Sequence, residues 1–180
     1  MGTGIQICGL NGCGKSTLGK SLAERMGFYF IDNEHLYFSR THADEPYVSP
    51  RPRAEVERLL MEEVVSHPDF VFAAVKGDYG KDVFPMYNYV VVMEVSPRIR
   101  AQRVRNRSFQ KFGSRMLEGG DLHDQEEAFF QLAASRRDED IERWLQKVTC
   151  PVIRVDGTRP VEENVAYILR AIDGYRAAGW

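Results

Sequence analysis

Cysteine is scarce in this chain: Cys8, Cys13 and Cys150 are the three among 180 residues. The number is odd and no CxxC pair occurs, which argues against a disulfide framework and for the reduced thiols of a cytoplasm. The four histidines, His35, His42, His67 and His123, have no ligand spacing, so no zinc site is expected. No apolar run approaches the ~20 residues of a membrane span. No basic region precedes the first apolar stretch, so no cleavable leader is expected. Met1-Gly2 opens a myristoylation pattern, but Gln6 stands where that pattern needs Ser or Thr. The formal net charge of −2 gives no electrostatic reason for nucleic acid or an anionic membrane as main partner. Repeats and low-complexity linkers are also lacking, so residues 1–180 read as a single domain. Nothing in the composition fixes an oligomeric state.

What is present begins at once. Ile5-Gln6-Ile7-Cys8 is a short apolar stretch, and Gly9 to Thr17 then read Gly-Leu-Asn-Gly-Cys-Gly-Lys-Ser-Thr. This is G-x-x-x-x-G-K-[ST] between a strand and a helix, the context in which the pattern binds polyphosphate. Glycines 9, 12 and 14 let backbone N–H groups turn inward, and the helix from Lys15 aims its positive end at the same anion. Gly9, Asn11, Gly12, Cys13, Gly14, Lys15, Ser16 and Thr17 are therefore expected against a nucleoside triphosphate. Lys15 reaches the terminal phosphates, and the Ser16 hydroxyl is placed to hold Mg²⁺. Cys13 sits beside a helix N-terminus that could lower its pKa and make it easily modified, or it simply offers its backbone N–H.

Apolar segments at 4–8, 28–31, 69–75, 88–95 and 151–155 alternate with helical patterns. The expectation is an α/β fold with three layers: a five-stranded parallel sheet, helices on both faces and a lid insertion. Val90-Val91-Val92-Met93 has the continuous apolarity of a strand buried on both sides. Ser96 and Pro97 predict an N-cap and first-turn proline for the next helix. Val161, Val165, Ile168, Leu169 and Ile172 mark the apolar face of the last helix, with Pro160 at its start. Two stretches do not read as scaffold. Residues 33–60, with Arg40, His42, Asp44, Pro46, Pro50, Arg51, Pro52 and Arg53, are an expected acceptor flap. Residues 108–121, with Gly113, Gly119 and Gly120 among basic neighbours, are an expected irregular lid.

With the glycine loop in place, the chain resembles the small P-loop kinases typified by adenylate kinase and shikimate kinase. Glu94-Val95-Ser96-Pro97-Arg98 followed by Arg103-Val104-Arg105-Asn106-Arg107 is similar to the strand 4 end and lid-entry helix of adenylate kinases. That resemblance implies adenine packing for Arg103 and phosphate contact for Arg107. Arg136-Arg137-Asp138-Glu139-Asp140 and Arg143 resemble the lid-exit helix, where two arginines converge on the transferring phosphoryl group. The spacing to Arg143 is shorter than in adenylate kinases. Val155 to Val161, with Thr158, Arg159 and Pro160, is similar to the loop that borders the adenine.

At the end of the second strand, Asp32 and Glu34 match the spacing of two acidic residues in shikimate kinases, with Glu where that family has Asp. Asp32 is either a metal-shell carboxylate or base, or a helix N-cap. Glu34, Arg53, Gly77 and Asp78 are the residues expected at the acceptor; Asp78 equally suits a plain turn. The adenylate kinase signature Asp-Gly-[Phe/Tyr]-Pro-Arg and its Thr-Gly-Asp motif are absent, which leaves the acceptor open. The implied activity is transfer of the γ-phosphate of Mg-ATP to a small-molecule or nucleotide acceptor. Lys15, Asp32, Arg107 and Arg136 or Arg137 form the catalytic set. A regulatory ATPase is the alternative. The missing Asn-Lys-x-Asp guanine motif disfavours a GTPase.

Overall fold

The computed structural model describes residues 2–38 and 50–180. Five strands, β1 (Gly4–Cys8), β2 (Tyr29–Asp32), β3 (Phe70–Ala73), β4 (Tyr87–Glu94) and β5 (Val152–Asp156), form one sheet in the order β2-β3-β1-β4-β5. Every pairing is parallel, with Ile7 opposite both Ala73 and Val91, and Val91 opposite Ile153. β1 is central, and the chain winds away from it in both directions. Such a point of reversal leaves a crevice beyond the C-terminal ends of the strands, where ligands of open α/β sheets bind. The glycine loop leaves β1 at that crevice.

Alternation along β3 divides the core. Phe70 and Phe72 join one apolar cluster, with Val56, Leu60 and Val64 of α3 (Arg53–Ser66). Val71 joins the other, with Leu18 and Leu22 of α1 (Lys15–Met26) and Val165, Ile168 and Ile172 of α7 (Val161–Ala177). Period-two side chains falling into separate clusters are the mark of a sheet covered on both faces. Phe70 and Phe72 are at most 1% exposed, and each such burial contributes about 2–3 kcal/mol of transfer free energy. Helix α6 (Asp138–Leu145) adds Ile141 and Trp144 to the α1/α7 cluster. Arg154 of β5 holds it there, meeting Glu142 at 2.9 Å and Glu94 at 2.7 Å.

Residues 108–121 are not irregular. Helix α4 (Pro97–Phe112) runs on to Phe112, a 3-10 turn covers Gly113–Met116, and α5 (His123–Ser135) returns. Val104, Met116 and Phe130 close a small core of their own between these helices. The glycines supply turns: Gly120 approaches Arg115 so closely that a Cβ there would lie 2.1 Å from its carbonyl oxygen. Pro97 is in the first turn of α4, as the sequence predicts, but Ser96 makes no side-chain cap bond. Of the expected flap, residues 33–37 form α2 (Asn33–Tyr37) and the end is the start of α3. Residues 39–49, with Arg40, His42, Asp44 and Pro46, lie outside the described residues.

Candidate functional site

The glycine loop is tied to the segment after β3 by Gly9 N–H donating to Val75 O at 3.1 Å, and it closes on itself through Cys13 N–H donating to Leu10 O at 3.2 Å. Helix α1 starts from Gly14, which has φ 96° and gives no side-chain cap. Its first-turn N–H groups are thus left to a ligand, and with the helix dipole they form an anion site. Lys15 is half-buried and donates to Leu10 O at 3.1 Å. Burial holds its pKa below the usual lysine value; the Cys13 and Cys8 thiols oppose that, and the positive charges of Arg107 and Arg136 add to it. Ser16 is half-buried and Thr17 exposed at the start of α1. Cys13 is enclosed within the loop. Its thiol is 2% exposed, and burial raises its pKa despite Lys15 and Arg100 nearby. Desolvation outweighs the helix terminus, so the thiol stays protonated and enclosed.

Arginines surround the loop. Arg103 Nη1 donates to Gly157 O at 3.0 Å and faces Cys13 O at 3.4 Å and Gly12 O at 3.5 Å. It therefore joins the glycine loop to the β5–α7 loop carrying Thr158, Arg159 and Pro160, all exposed. Thr158 is itself fixed by Asp156, which accepts from its N–H at 2.8 Å and its hydroxyl at 2.6 Å. Arg136, between α5 and α6, donates to Asn11 Oδ1 at 2.6 Å. Arg107 is exposed on α4, with its charge felt at Lys15. The charges of Arg107 and Arg136 thus both reach Lys15, and Arg136 alone of the two bonds the loop. Arg137 is exposed, and Arg143 is paired with Asp140 of its own helix, so neither is drawn to the loop by a side-chain contact. Buried Arg100 is a brace: its Nε donates to Val95 O at 3.0 Å.

On the other side of β1, Asp32 ends β2 and caps α2, accepting from Glu34 N–H at 3.0 Å. The capping bond uses Asp32 Oδ1, and Glu34 is exposed in the first turn. Arg53 and Asp78 meet: the guanidinium bonds the Asp78 carbonyl, lies 3.8 Å from its carboxylate and is 2.8 Å from Glu57. Lys76 pairs with Asp78 at 3.1 Å. Gly77 is buried, and a Cβ there would lie 2.8 Å from Trp144 Cζ2, 2.9 Å from Gln6 Cγ and 2.9 Å from Tyr87 Cε2. Sequence reasoning missed this surround. Gln6 is 0% exposed, and Gln6 Oε1, Tyr87 Oη and Trp144 Nε1 have no hydrogen-bond partner among the described residues. A polar residue inside the apolar run Ile5–Cys8 was the available signal.

A cavity of about 470 Å³ opens along Glu94, Ser96, Asp156 and Thr158 at the C-terminal ends of β4 and β5. Among the described residues no group of three or more His, Cys, Asp or Glu side chains could hold a metal ion. The Ser16 hydroxyl at the start of α1 and the Asp32 carboxylate at the end of β2 are oxygen donors of the kind that Mg²⁺ takes. No described helix is long and apolar enough to cross a membrane.

Known proteins share this arrangement. The AAA domain family matches residues 5–145, which include the glycine loop and both arginine-bearing helices. The Bacillus subtilis (strain 168) protein YqaC, described as uncharacterized, is 25% identical over 173 residues, 92% of this chain and 94% of its own. A putative adenylate kinase of Thermococcus onnurineus (strain NA1) is 28% identical over 107 residues, 59% of this chain and 57% of its own. The crystal structure of a shikimate kinase from Bacteroides thetaiotaomicron superposes with a TM-score of 0.61 at 19% identity, over 95% of this chain and 98% of that one. With a glycine loop at the switch point of a parallel sheet and a family match over most of its length, the chain belongs to the AAA domain family and has the P-loop kinase fold.

Proposed function

We propose that the protein is a Mg-ATP-dependent phosphotransferase acting on a small-molecule or nucleotide acceptor. The observation that carries this reading is that Arg136 bonds the glycine loop at Asn11, while its charge and that of Arg107 both reach Lys15. A loop that only held nucleotide would need Lys15 and backbone N–H groups. Two further cations from separate elements are suited to charge that spreads over a transferring phosphoryl group. Lys15 binds the β- and γ-phosphates once it leaves Leu10 O. Ser16, aided by Asp32, would hold Mg²⁺, which would supply neutralisation of the phosphate charge. Arg103 and the Thr158–Pro160 loop border the base, and Arg53, Gly77 and Asp78 face the acceptor side with Glu34 nearby in sequence. The α4–α5 arm, including residues 108–121, closes over the phosphates and keeps water from competing as acceptor.

Relatives named putative adenylate kinase and shikimate kinase support a small-molecule or nucleotide acceptor. A panel of such compounds, each assayed for ADP release against a control without acceptor, tests the reading. Release that rises at least tenfold with one acceptor supports phosphotransfer. Release that is the same with and without every acceptor overturns it in favour of a regulatory ATPase.

A further inference from the structure

Successive residues of the glycine loop offer their oxygens to three different cations. Leu10 O accepts from Lys15 at 3.1 Å, Asn11 Oδ1 from Arg136 at 2.6 Å, and the Gly12 and Cys13 carbonyls face Arg103 at 3.5 and 3.4 Å. Leu10, Gly12 and Cys13 use backbone oxygens, which any residue at those positions would supply. Asn11 alone uses a side chain. Its partner comes from 125 positions further along the chain, at the junction of α5 and α6. The two helices belong to different bodies: Phe130 of α5 packs on Val104 and Met116 of the arm, while Ile141 and Trp144 of α6 join the main core. Arg136 stands where these bodies meet, and Asn11 is its side-chain link to the loop.

The chemistry of the acceptor matters as much as its place. An amide oxygen holds a guanidinium without cancelling its charge, and it uses one of the five donors of that fork. Among the described residues Arg136 forms no ion pair, and its positive charge lowers the pKa of Lys15. Arg105, by contrast, is committed to Glu127 through two bonds of 2.8 and 3.2 Å. An aspartate at position 11 would make the same bond but trap the arginine in an ion pair. Alanine would release it.

We propose that Asn11 is the positioning residue for Arg136, a neutral dock that keeps the guanidinium beside Lys15 and yields it to an incoming phosphate. The inference rests on the phosphotransfer reading for its purpose, and its test does not require turnover. Asn11→Ala, Asn11→Asp, Arg136→Ala and the double variant Asn11→Ala/Arg136→Ala are compared with the wild-type chain. Hydrogen exchange in the nucleotide-free protein reads the dock itself. A bond from a charged donor contributes about 1.5 kcal/mol or more, so the amides of residues 134–140 exchange about tenfold faster in Asn11→Ala and equally so in Arg136→Ala. Calorimetric binding of a non-hydrolysable ATP analogue with Mg²⁺ reads the consequence. Asn11→Ala weakens it about tenfold, but changes it less than twofold once Arg136 is alanine, because coupled groups are not additive.

Asn11→Asp keeps the exchange protection yet binds the analogue more weakly than Asn11→Ala. If Asn11→Ala is too unstable to measure, Asn11→Ser keeps an oxygen acceptor and gives the same comparison at smaller amplitude. Multiplicative losses in the double variant, or unchanged exchange in Asn11→Ala, overturn the dock. Coupling without any acceptor-stimulated ADP release leaves the dock standing and removes the phosphotransfer reading. Turnover with multiplicative losses does the reverse.

Discussion

Replacing Gly12 by alanine measures how firmly α4 rests on the glycine loop. Gly12 has φ +87°, and a Cβ there would lie 2.5 Å from Arg100 O, 2.9 Å from its Cα and 3.0 Å from its carbonyl carbon. The obstacle is the backbone of the first turn of α4, and it cannot swing aside as a side-chain tip can. A non-glycine residue in this left-handed region costs about 1–2 kcal/mol. Forcing α4 away from its seat adds about 1–3 kcal/mol, as overpacking does, and the stiffer unfolded chain returns about 0.4–1 kcal/mol. The net expectation for Gly12→Ala is a loss of about 2–4 kcal/mol. Gly27 is the control, with φ +70° and nothing within 4 Å of an added Cβ, so Gly27→Ala should lose about 1 kcal/mol or less. Urea unfolding at matched slope reads both, and slopes of about 1–3 kcal/mol/M turn the difference into a midpoint shift near ~1 M. Equal midpoints for the two variants would refute the contact between α4 and the loop, and with it the route by which Arg103 and Arg107 reach the site.

Lys15→Ala and Ser16→Ala should abolish phosphotransfer with circular dichroism unchanged, and near-wild-type turnover in Lys15→Ala would remove the loop from the mechanism. Because the folded chain holds the Lys15 pKa below its unfolded value, the unfolded chain binds that proton more tightly. The free protein should therefore gain stability as pH rises from the lowered value towards about 10.4, and urea midpoints of wild type and Lys15→Met measured from pH 7 to 10 should converge upward. Arg107→Ala should lower kcat and kcat/KM together, by about 10²-fold; a change in KM alone would make the residue a binding contact. Direct titration should show tighter binding of ATP than of GTP, since Arg103 bridges to the loop of Thr158 and no guanine motif is present.

Local patterns were legible in the sequence. β1, the glycine loop and α1 are consecutive, and each is dictated by residues within a few positions: apolar Ile5 and Ile7, glycines 9, 12 and 14, then the Leu18 and Leu22 stripe. Val90 to Met93 announced a two-sided strand for the same reason. Long-range closure was not legible. Gly113, Gly119 and Gly120 read as an irregular lid because the contacts that order this stretch come from Val104 and Phe130, on either side of it in sequence. The sequence offered Asp32 as metal ligand or cap, and the cap became visible only where α2 begins directly after it. Arg136 and Arg137 were equivalent on paper; the turn between α5 and α6 sends only Arg136 to Asn11. Of the two readings of Cys13, the helix terminus is visible in sequence and the enclosure of the thiol is not.

The crowding around Gly77 makes the chain its own optical gauge. Of its two tryptophans, Trp180 is 66% exposed, while Trp144 is 5% exposed and stands edge-on to Phe84 with centroids 6.3 Å apart. The indole of Trp144 also touches the space above Gly77, on the loop that leads out of β3. Indole emission follows the polarity around the ring, so small displacements of that loop translate into a spectral shift at one site. With Trp180 changed to phenylalanine, light from a single buried ring would report the arrival of a molecule beside Gly77, whether or not chemistry follows.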